Sequence, residues 1–229
     1  MRQIEGTHMQ LRPDFTFDRF VRGPGCGEAL DACKALAKPG LMTHGMLFLS
    51  GSTGVGKTHL LHSIAHAVLK RHPEARLFRT AAIDLAHKLV EGIRHDRLSS
   101  VRQEYRKLQV LLVDDFHVLA SLPFTQSEVA VILKSSAESG VRVACAGIIA
   151  SQVQVLSRVL RFPLSSLLVA VKQPTPPEMR RILMSKLTKS ELKVFEKHLN
   201  VIARRCRGDV GRAIGALAEL RFSSSVQTG

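Results

Sequence analysis

Gly51-Ser52-Thr53-Gly54-Val55-Gly56-Lys57-Thr58 decides how this 229-residue chain is read. It matches G-x-x-x-x-G-K-[ST]. An apolar run, residues 46–50, precedes it. In residues 57–71, which follow, Leu60, Leu61, Ile64, Ala65 and Val68 recur at helical spacing. Strand, glycine-rich turn and helix together are what a phosphate-binding loop requires. Glycines let the backbone turn tightly with its N–H groups facing inward. Those groups and the helix N-terminus attract phosphate. Lys57 supplies a cation between β- and γ-phosphates, and Thr58 offers a hydroxyl to Mg²⁺. A glycine-rich turn that binds nothing is the plain alternative; motif and context together favour a nucleotide, ATP or ADP.

A second element supports this. Val110-Leu111-Leu112-Val113-Asp114-Asp115 reads as a buried strand that delivers two carboxylates at its C-terminal end. Ligands of open parallel sheets sit at those strand ends. Asp114 is placed to hold Mg²⁺, directly or through water. Side chains alternate along a strand, so Asp115 points to the other side and is the candidate general base for an attacking water. Asp is one methylene shorter than Glu, so the expected hydrolysis is slow, suited to a switch better than to a motor. Two acids after a strand, taken alone, also cap helices.

Outward from these motifs, the pattern predicts further strands at residues 75–80, 141–146 and 167–171. Helices are predicted at 26–38, 82–93, 98–108 and 125–139. Strands alternate with helices, and several are apolar without alternation. That is the signature of an α/β fold whose parallel sheet is covered on both faces. After Gln173-Pro174-Thr175-Pro176-Pro177 the strand signal ends, and residues 178–187, 190–206 and 209–221 read as helices. The expected division is residues 11–173 as an α/β nucleotide-binding domain and 174–229 as a small helical lid. Residues 1–10, with Ile4-Glu5-Gly6-Thr7-His8-Met9, read as a tag or leader.

Composition sets the remaining bounds. Hydrophobic residues make up 45% of the chain, enough for a core, which rests on aliphatics and Phe because Trp is absent and Tyr occurs once. No apolar run reaches the roughly 18 residues of a membrane span. The N-terminus has no apolar signal-peptide core, so the expected location is the cytoplasm, with no membrane partner. Cys26, Cys33, Cys145 and Cys206 show no C-x-x-C spacing and read as reduced thiols. The formal charge of +14 suggests a polyanionic partner, most simply nucleic acid. Two basic sets stand out. Arg94, Arg97, Arg102, Arg106 and Lys107 form one; the lid, from Arg180 to Arg207, holds the other. The lid set spreads around its helices, which argues for a general basic surface, and no aromatic platform accompanies either set. His59, His62 and His66 have helical spacing but no third ligand type nearby, so packing is the better reading than metal.

These residues resemble the AAA+ nucleotide-binding domain of the bacterial replication initiators of the DnaA family, or an Hda-like paralogue of it. Leu11-Arg12-Pro13-Asp14-Phe15-Thr16-Phe17-Asp18-Arg19-Phe20-Val21 is similar to the family's opening, and Gly51–Thr58 running into His59-Leu60-Leu61-His62 to its loop and helix. Tyr105-Arg106, then Leu111 to Asp115, then Thr125-Gln126-Ser127-Glu128 keep the family's order and spacing. The resemblance implies a five-stranded parallel sheet with a helical lid and nucleotide, with Mg²⁺, between them. It puts Phe20 and Val21 near adenine and His59 in the nucleotide-binding run. Arg161, in Leu160-Arg161-Phe162, falls at the arginine finger that would reach a neighbour's γ-phosphate in an ATP-dependent homo-oligomer.

Departures accompany the resemblance. The family's polar sensor falls at Gly147 or Ile148. Its lid arginine falls at Gly211, with Arg212 next door; one helical position is about 100°, so Arg212 serves only if the helix is rotated or shifted. Two basic single-strand-binding positions fall at Leu122 and Phe124, although Val90, a contact position of the same channel, fits. The chain ends at Gly229 without the family's helix-turn-helix domain, so it is either a piece of a longer protein or a relative that lacks that domain. Three readings follow. One is an ATP-switched replication factor, an initiator core or a regulator contacting an initiator. Another is a DNA-associated AAA+ helper, a helicase loader or a transposition ATPase, although those usually carry Asp-Glu where this chain has Asp114-Asp115. The third is a nucleotide-binding scaffold with little hydrolysis.

Overall fold

The computed structural model describes residues 11–38, 40, 46–148 and 166–226. Its centre is a five-stranded parallel sheet of β1 (Met46–Ser50), β2 (Leu77–Ala81), β3 (Val110–Asp114), β4 (Arg142–Gly147) and β5 (Leu167–Ala170), in the order β2-β3-β4-β1-β5. The sheet is the α/β arrangement that the sequence predicts. All five residues of β1 and of β3 are buried, as a central strand covered on both faces demands. The edge strand β5 differs: Val169 is buried while Leu167 and Leu168 are exposed.

Strand parity divides the core in two. On one face, Phe48, Phe78, Leu111, Val113 and Cys145 pack with α3 (Ala82–Arg94), α4 (Leu98–Arg106) and α5 (Pro123–Glu138). On the other, Leu47, Leu49, Leu112, Ala144 and Ala146 pack with α1 (Gly27–Leu36) and α2 (Lys57–Arg71). Thus α2, the helix behind the phosphate loop, covers the face that carries Asp114 and Arg79.

Most element ends lie within three residues of the predicted spans; the last helix runs on to Val226, five residues past its predicted end. β2 starts at Leu77 because the chain first turns through Ala75 and Leu77. A 3-10 turn, Phe116–Ser121, follows β3 and has no predicted counterpart. Its residues Phe116 and Leu119 face the core, but a single turn carries too few residues to show a period.

Three helices complete the chain: α6 (Pro176–Met184), α7 (Lys189–Arg205) and α8 (Val210–Val226). They bury a cluster of their own, built on Met179, Leu183, Leu199, Ala213 and Leu217. Capping boxes fix two helix starts, Thr175 with Glu178 and Thr188 with Glu191.

Candidate nucleotide site

The loop after β1 is shaped by Gly54 (φ 76°) and Gly56 (φ 103°), both in the left-handed region that side chains resist. A Cβ on Gly54 would lie 2.1 Å from the Asp209 carboxylate, an overlap with the lid. The lid is tied to the loop there: Val210 donates its N–H to the Gly54 carbonyl at 2.9 Å. Asp209 accepts the Arg212 N–H at 2.9 Å and so caps α8.

Lys57 is buried, and its ammonium donates to the Gly51 and Ser52 carbonyls at 2.8 and 2.7 Å. Burial pulls its pKa below the ordinary value, and Asp114 and Asp115 pull it back up. Thr58, one residue on, hydrogen-bonds the Asp114 carboxylate. Asp114 is 3% exposed; one oxygen accepts the Asp115 N–H at 3.0 Å, the other the Arg79 guanidinium at 3.4 Å. Burial raises its pKa. Hydroxyl and carboxylate side by side form a hard-oxygen pair of the kind Mg²⁺ takes when phosphates and waters supply its other ligands. Among the described residues no cluster of three or more His, Cys, Asp or Glu could hold a metal.

Asp115 departs from the alternation that the sequence suggests. The strand ends at Asp114, and Asp115 adopts a left-handed backbone (φ 51°), so strand parity no longer aims its side chain. It stands 63% exposed on the cavity wall, 4.0 Å from His117.

A cavity of about 520 Å³ lies over this end of the sheet, between the loop and the lid. Thr53 to Thr58, His59 and Asp115 line it, as do Phe20 and Val21. His59 does so as a packing residue: it stacks on Phe15 at 4.6 Å, and its Nε2 lies 2.9 Å from the Thr16 carbonyl. His62 accepts the Arg12 N–H at 3.1 Å, and Nε2 of His66 lies 2.9 Å from the Arg12 carbonyl. The helical histidines thus clasp the N-terminal segment onto α2, which sets Phe20 against the cavity.

The lid contributes Ile182 and Ile214 to the cavity wall. Gly211 lines it, whereas Arg212 lies outside the lining and is exposed, so the rotation that would bring Arg212 in is not present. Of the two positions expected for the polar sensor, Ile148, just beyond β4, lines the cavity, and its side chain is apolar. Arg161 lies outside the described residues. Leu122 and the exposed Phe124 open α5 with apolar side chains. Two cations escape the sequence reading, and a third, Lys186, enters it only as part of the lid's basic set. Lys172, directly after β5, and Lys186, in the turn after α6, line the cavity. Arg79 lies beside Asp114; its sequence signal is a lone arginine inside an apolar strand, 5% exposed.

Comparison with known proteins agrees with this architecture. The family model of the bacterial DnaA ATPase domain matches residues 11–163. The chromosomal replication initiator protein DnaA of Roseiflexus castenholzii is 31% identical over 213 residues, covering 90% of this chain and 44% of that protein. The Thermus thermophilus DnaA is 37% identical over 124 residues, 54% of this chain and 28% of that one. This chain thus spans less than half the length of either relative. Domain III of the Thermotoga maritima replication initiation protein DnaA superposes with a TM-score of 0.81 at 26% identity, covering 96% of this chain and 92% of that one.

Proposed function

Because this chain belongs to the bacterial DnaA ATPase-domain family, we propose that it is an ATP-binding switch, with slow hydrolysis, acting in initiation of DNA replication or its regulation. One observation carries the reading. Fold and lid bring Lys57, Thr58 and Asp115 to a single cavity, with the buried Asp114 beside Thr58, and Phe20, Val21, Ile182 and Ile214 give that cavity apolar walls. Phosphates suit the first end and a purine the second.

The residue roles follow from position. Loop N–H groups and the α2 N-terminus hold the phosphates. Lys57 exchanges its two carbonyl partners for phosphate oxygens. Thr58 and Asp114 would hold Mg²⁺, which when bound screens phosphate charge. Asp115, exposed at the cavity, accepts a proton from water. Ile148 and Gly211 leave the γ-phosphate without a polar sensor or a lid arginine, which favours slow turnover and keeps the low-hydrolysis scaffold as the second reading. Arg161 remains the proposed finger across a head-to-tail interface.

A DNA contact is proposed for the lid. On α7, Lys189, Lys193, Lys197 and Arg204 are exposed and fall within an arc of roughly 80°, over about 22 Å of helix. The helix's two acids are taken by other elements, Glu191 by Arg221 and Glu196 by Arg180. The spread suggested by the whole lid set therefore narrows, for four of the five cations of this helix, to one basic stripe suited to a phosphate backbone, with Arg205 outside it. Replication proteins, an initiator among them, are the proposed protein partners, in the cytoplasm; no helix among the described residues can cross a membrane.

The test is titration of ATP and ADP, with Lys57→Ala as control, while light scattering follows size. ATP binding that Lys57→Ala abolishes, with assembly on ATP but not ADP, supports the switch. Binding without any change in size removes the finger assignment and favours the scaffold; no binding defeats the proposal.

A further inference from the structure

Arg79 is the charged group of this site that the phosphate-loop chemistry does not require. It occupies the middle of β2, opposite Leu112 of β3, while Asp114 lies opposite Ala81. Positions two apart share a face of the sheet, so Arg79 and Asp114 both face α2. The guanidinium donates from Nη2 to Asp114 at 3.4 Å, and both side chains are about 95% buried. Its Nε and Nη1 are buried and have no hydrogen-bond partner among the described residues.

An arginine kept dry with two nitrogens unmatched is costly, because a buried polar group without a partner loses its hydration and gains nothing. As a fold device it is poor: apolar side chains of similar volume often serve a core as well or better. Its position gives it a use. In the nucleotide reading above, on which this inference rests, polyphosphate enters beside Asp114 and Asp115. Two carboxylates repel it, and a divalent cation ordinarily relieves that repulsion. Here one carboxylate already has a fixed cation behind it. Its oxygens already accept from Thr58, the Asp115 N–H and Arg79.

We infer that Arg79 is a built-in counter-ion for Asp114, so that this site holds nucleotide nearly as well without Mg²⁺ as with it. The consequence is a switch whose nucleotide occupancy is insensitive to the metal, while the same pairing keeps Asp114 from engaging the metal fully. Arg79 is a positioning residue, since it acts on the ligand through Asp114.

The experiment measures ADP affinity of the full chain by calorimetry in EDTA and in Mg²⁺, for wild type, Arg79→Met and Arg79→Lys. Wild type is expected to change less than about threefold between the buffers, and Arg79→Met to gain about tenfold or more on adding Mg²⁺. Arg79→Lys, which keeps the charge, should resemble wild type. A purely structural arginine would lower the melting temperature in Arg79→Met and leave the ratio of affinities untouched. That result overturns the inference, as does a wild-type ratio of tenfold or more. Should Arg79→Met not melt cooperatively, Arg79→Gln carries the same comparison. Absence of ADP binding by wild type in both buffers would overturn the nucleotide reading and this inference together, whereas binding with an unchanged ratio overturns this inference alone.

Discussion

Replacing Gly54 by Ala tests whether the phosphate loop and the lid form one mechanical unit. Two costs add. Gly54 sits at φ 76°, where a side chain costs roughly 1–2 kcal/mol. The new methyl would stand 2.1 Å from Oδ1 and 2.5 Å from Cγ of Asp209, far inside contact distance. Asp209 would have to swing away, abandoning the cap it makes to the Arg212 N–H, a loss of about 0.5–2 kcal/mol. The total is about 1.5–4 kcal/mol, which for a chain of this size lowers the melting temperature by roughly 3–16 °C. Asp209→Ser shortens the side chain and keeps a capping hydroxyl, so it should relieve the overlap but not the backbone strain. A double-mutant cycle isolates that part: Gly54→Ala with Asp209→Ser should show a coupling of about 1 kcal/mol or more in the relieving direction. Thermal melts of the four proteins decide it. Strict additivity, or a Gly54→Ala melt within 1 °C or so of wild type, would refute the argument that Asp209 packs against the loop.

Gly211→Arg should restore a cation to the cavity wall: a Cβ there meets only the Asp209 carboxylate, at 3.4 Å, and ATP affinity by titration is expected to rise about tenfold, with ADP affected less. Phe20→Ala should weaken ATP and ADP alike, by about tenfold, since it removes a piece of cavity wall that both nucleotides would share. Lid binding to duplex DNA should fall with salt at a log–log slope near −3.6 if four cations contact phosphates, and Lys193→Gln should bring the slope about 0.9 closer to zero, measured by fluorescence anisotropy. Burial, with Arg79 next in effect, pushes His62 down to about 4. Its folded pKa is below its unfolded value near 6.5, so the unfolded chain binds more protons between them. Stability is therefore retained above about 6.5 and lost as pH falls toward about 4. Melts over that range should show the slope, and His62→Gln should flatten it.

The fold was legible because its evidence is local and periodic. Five apolar runs, each within three residues of an observed strand, alternate with helices, and Gly51 to Thr58 names the edge where ligand enters. Lys57, Thr58 and Asp114 were readable from spacing alone because the loop and strand β3 are rigid carriers. Asp115 was only half legible: its place was right, but a strand rule was applied to a residue that has already left the strand. Arg212 illustrates a different limit. A sequence gives helix positions in steps of 100°, and whether Gly211 or Arg212 faces the cavity depends on how Asp209 and Val210 dock on Gly54, a tertiary contact. Arg79 and Lys172 were missed, and Lys186 was legible only as part of a basic surface, because each is a single cation with no motif, brought to the site only by sheet order and lid closure. The histidines of α2 carried a visible period, yet what they bind is backbone of residues 12 and 16, and backbone partners leave no trace in composition.

The distribution of what is kept and what is missing itself bears on function. In the function proposed above, the groups for phosphate and purine are in place: loop, Lys57, Thr58, Asp114, and the apolar walls on Phe20 and the lid. In the same reading, Ile148 and Gly211 stand where the γ-phosphate would be read, and neither has a charge to give. A site that binds firmly and reports the third phosphate weakly is better suited to staying loaded than to cycling, and the Val210 N–H on the Gly54 carbonyl gives the loop a direct contact with the lid. On that logic the lid's basic stripe should respond to nucleotide of either kind. DNA affinity measured with ATP and with ADP should agree within about twofold, both differing from the nucleotide-free chain. A tenfold preference for ATP would show that γ-phosphate sensing survives by another route, and would direct attention back to the proposed finger at Arg161.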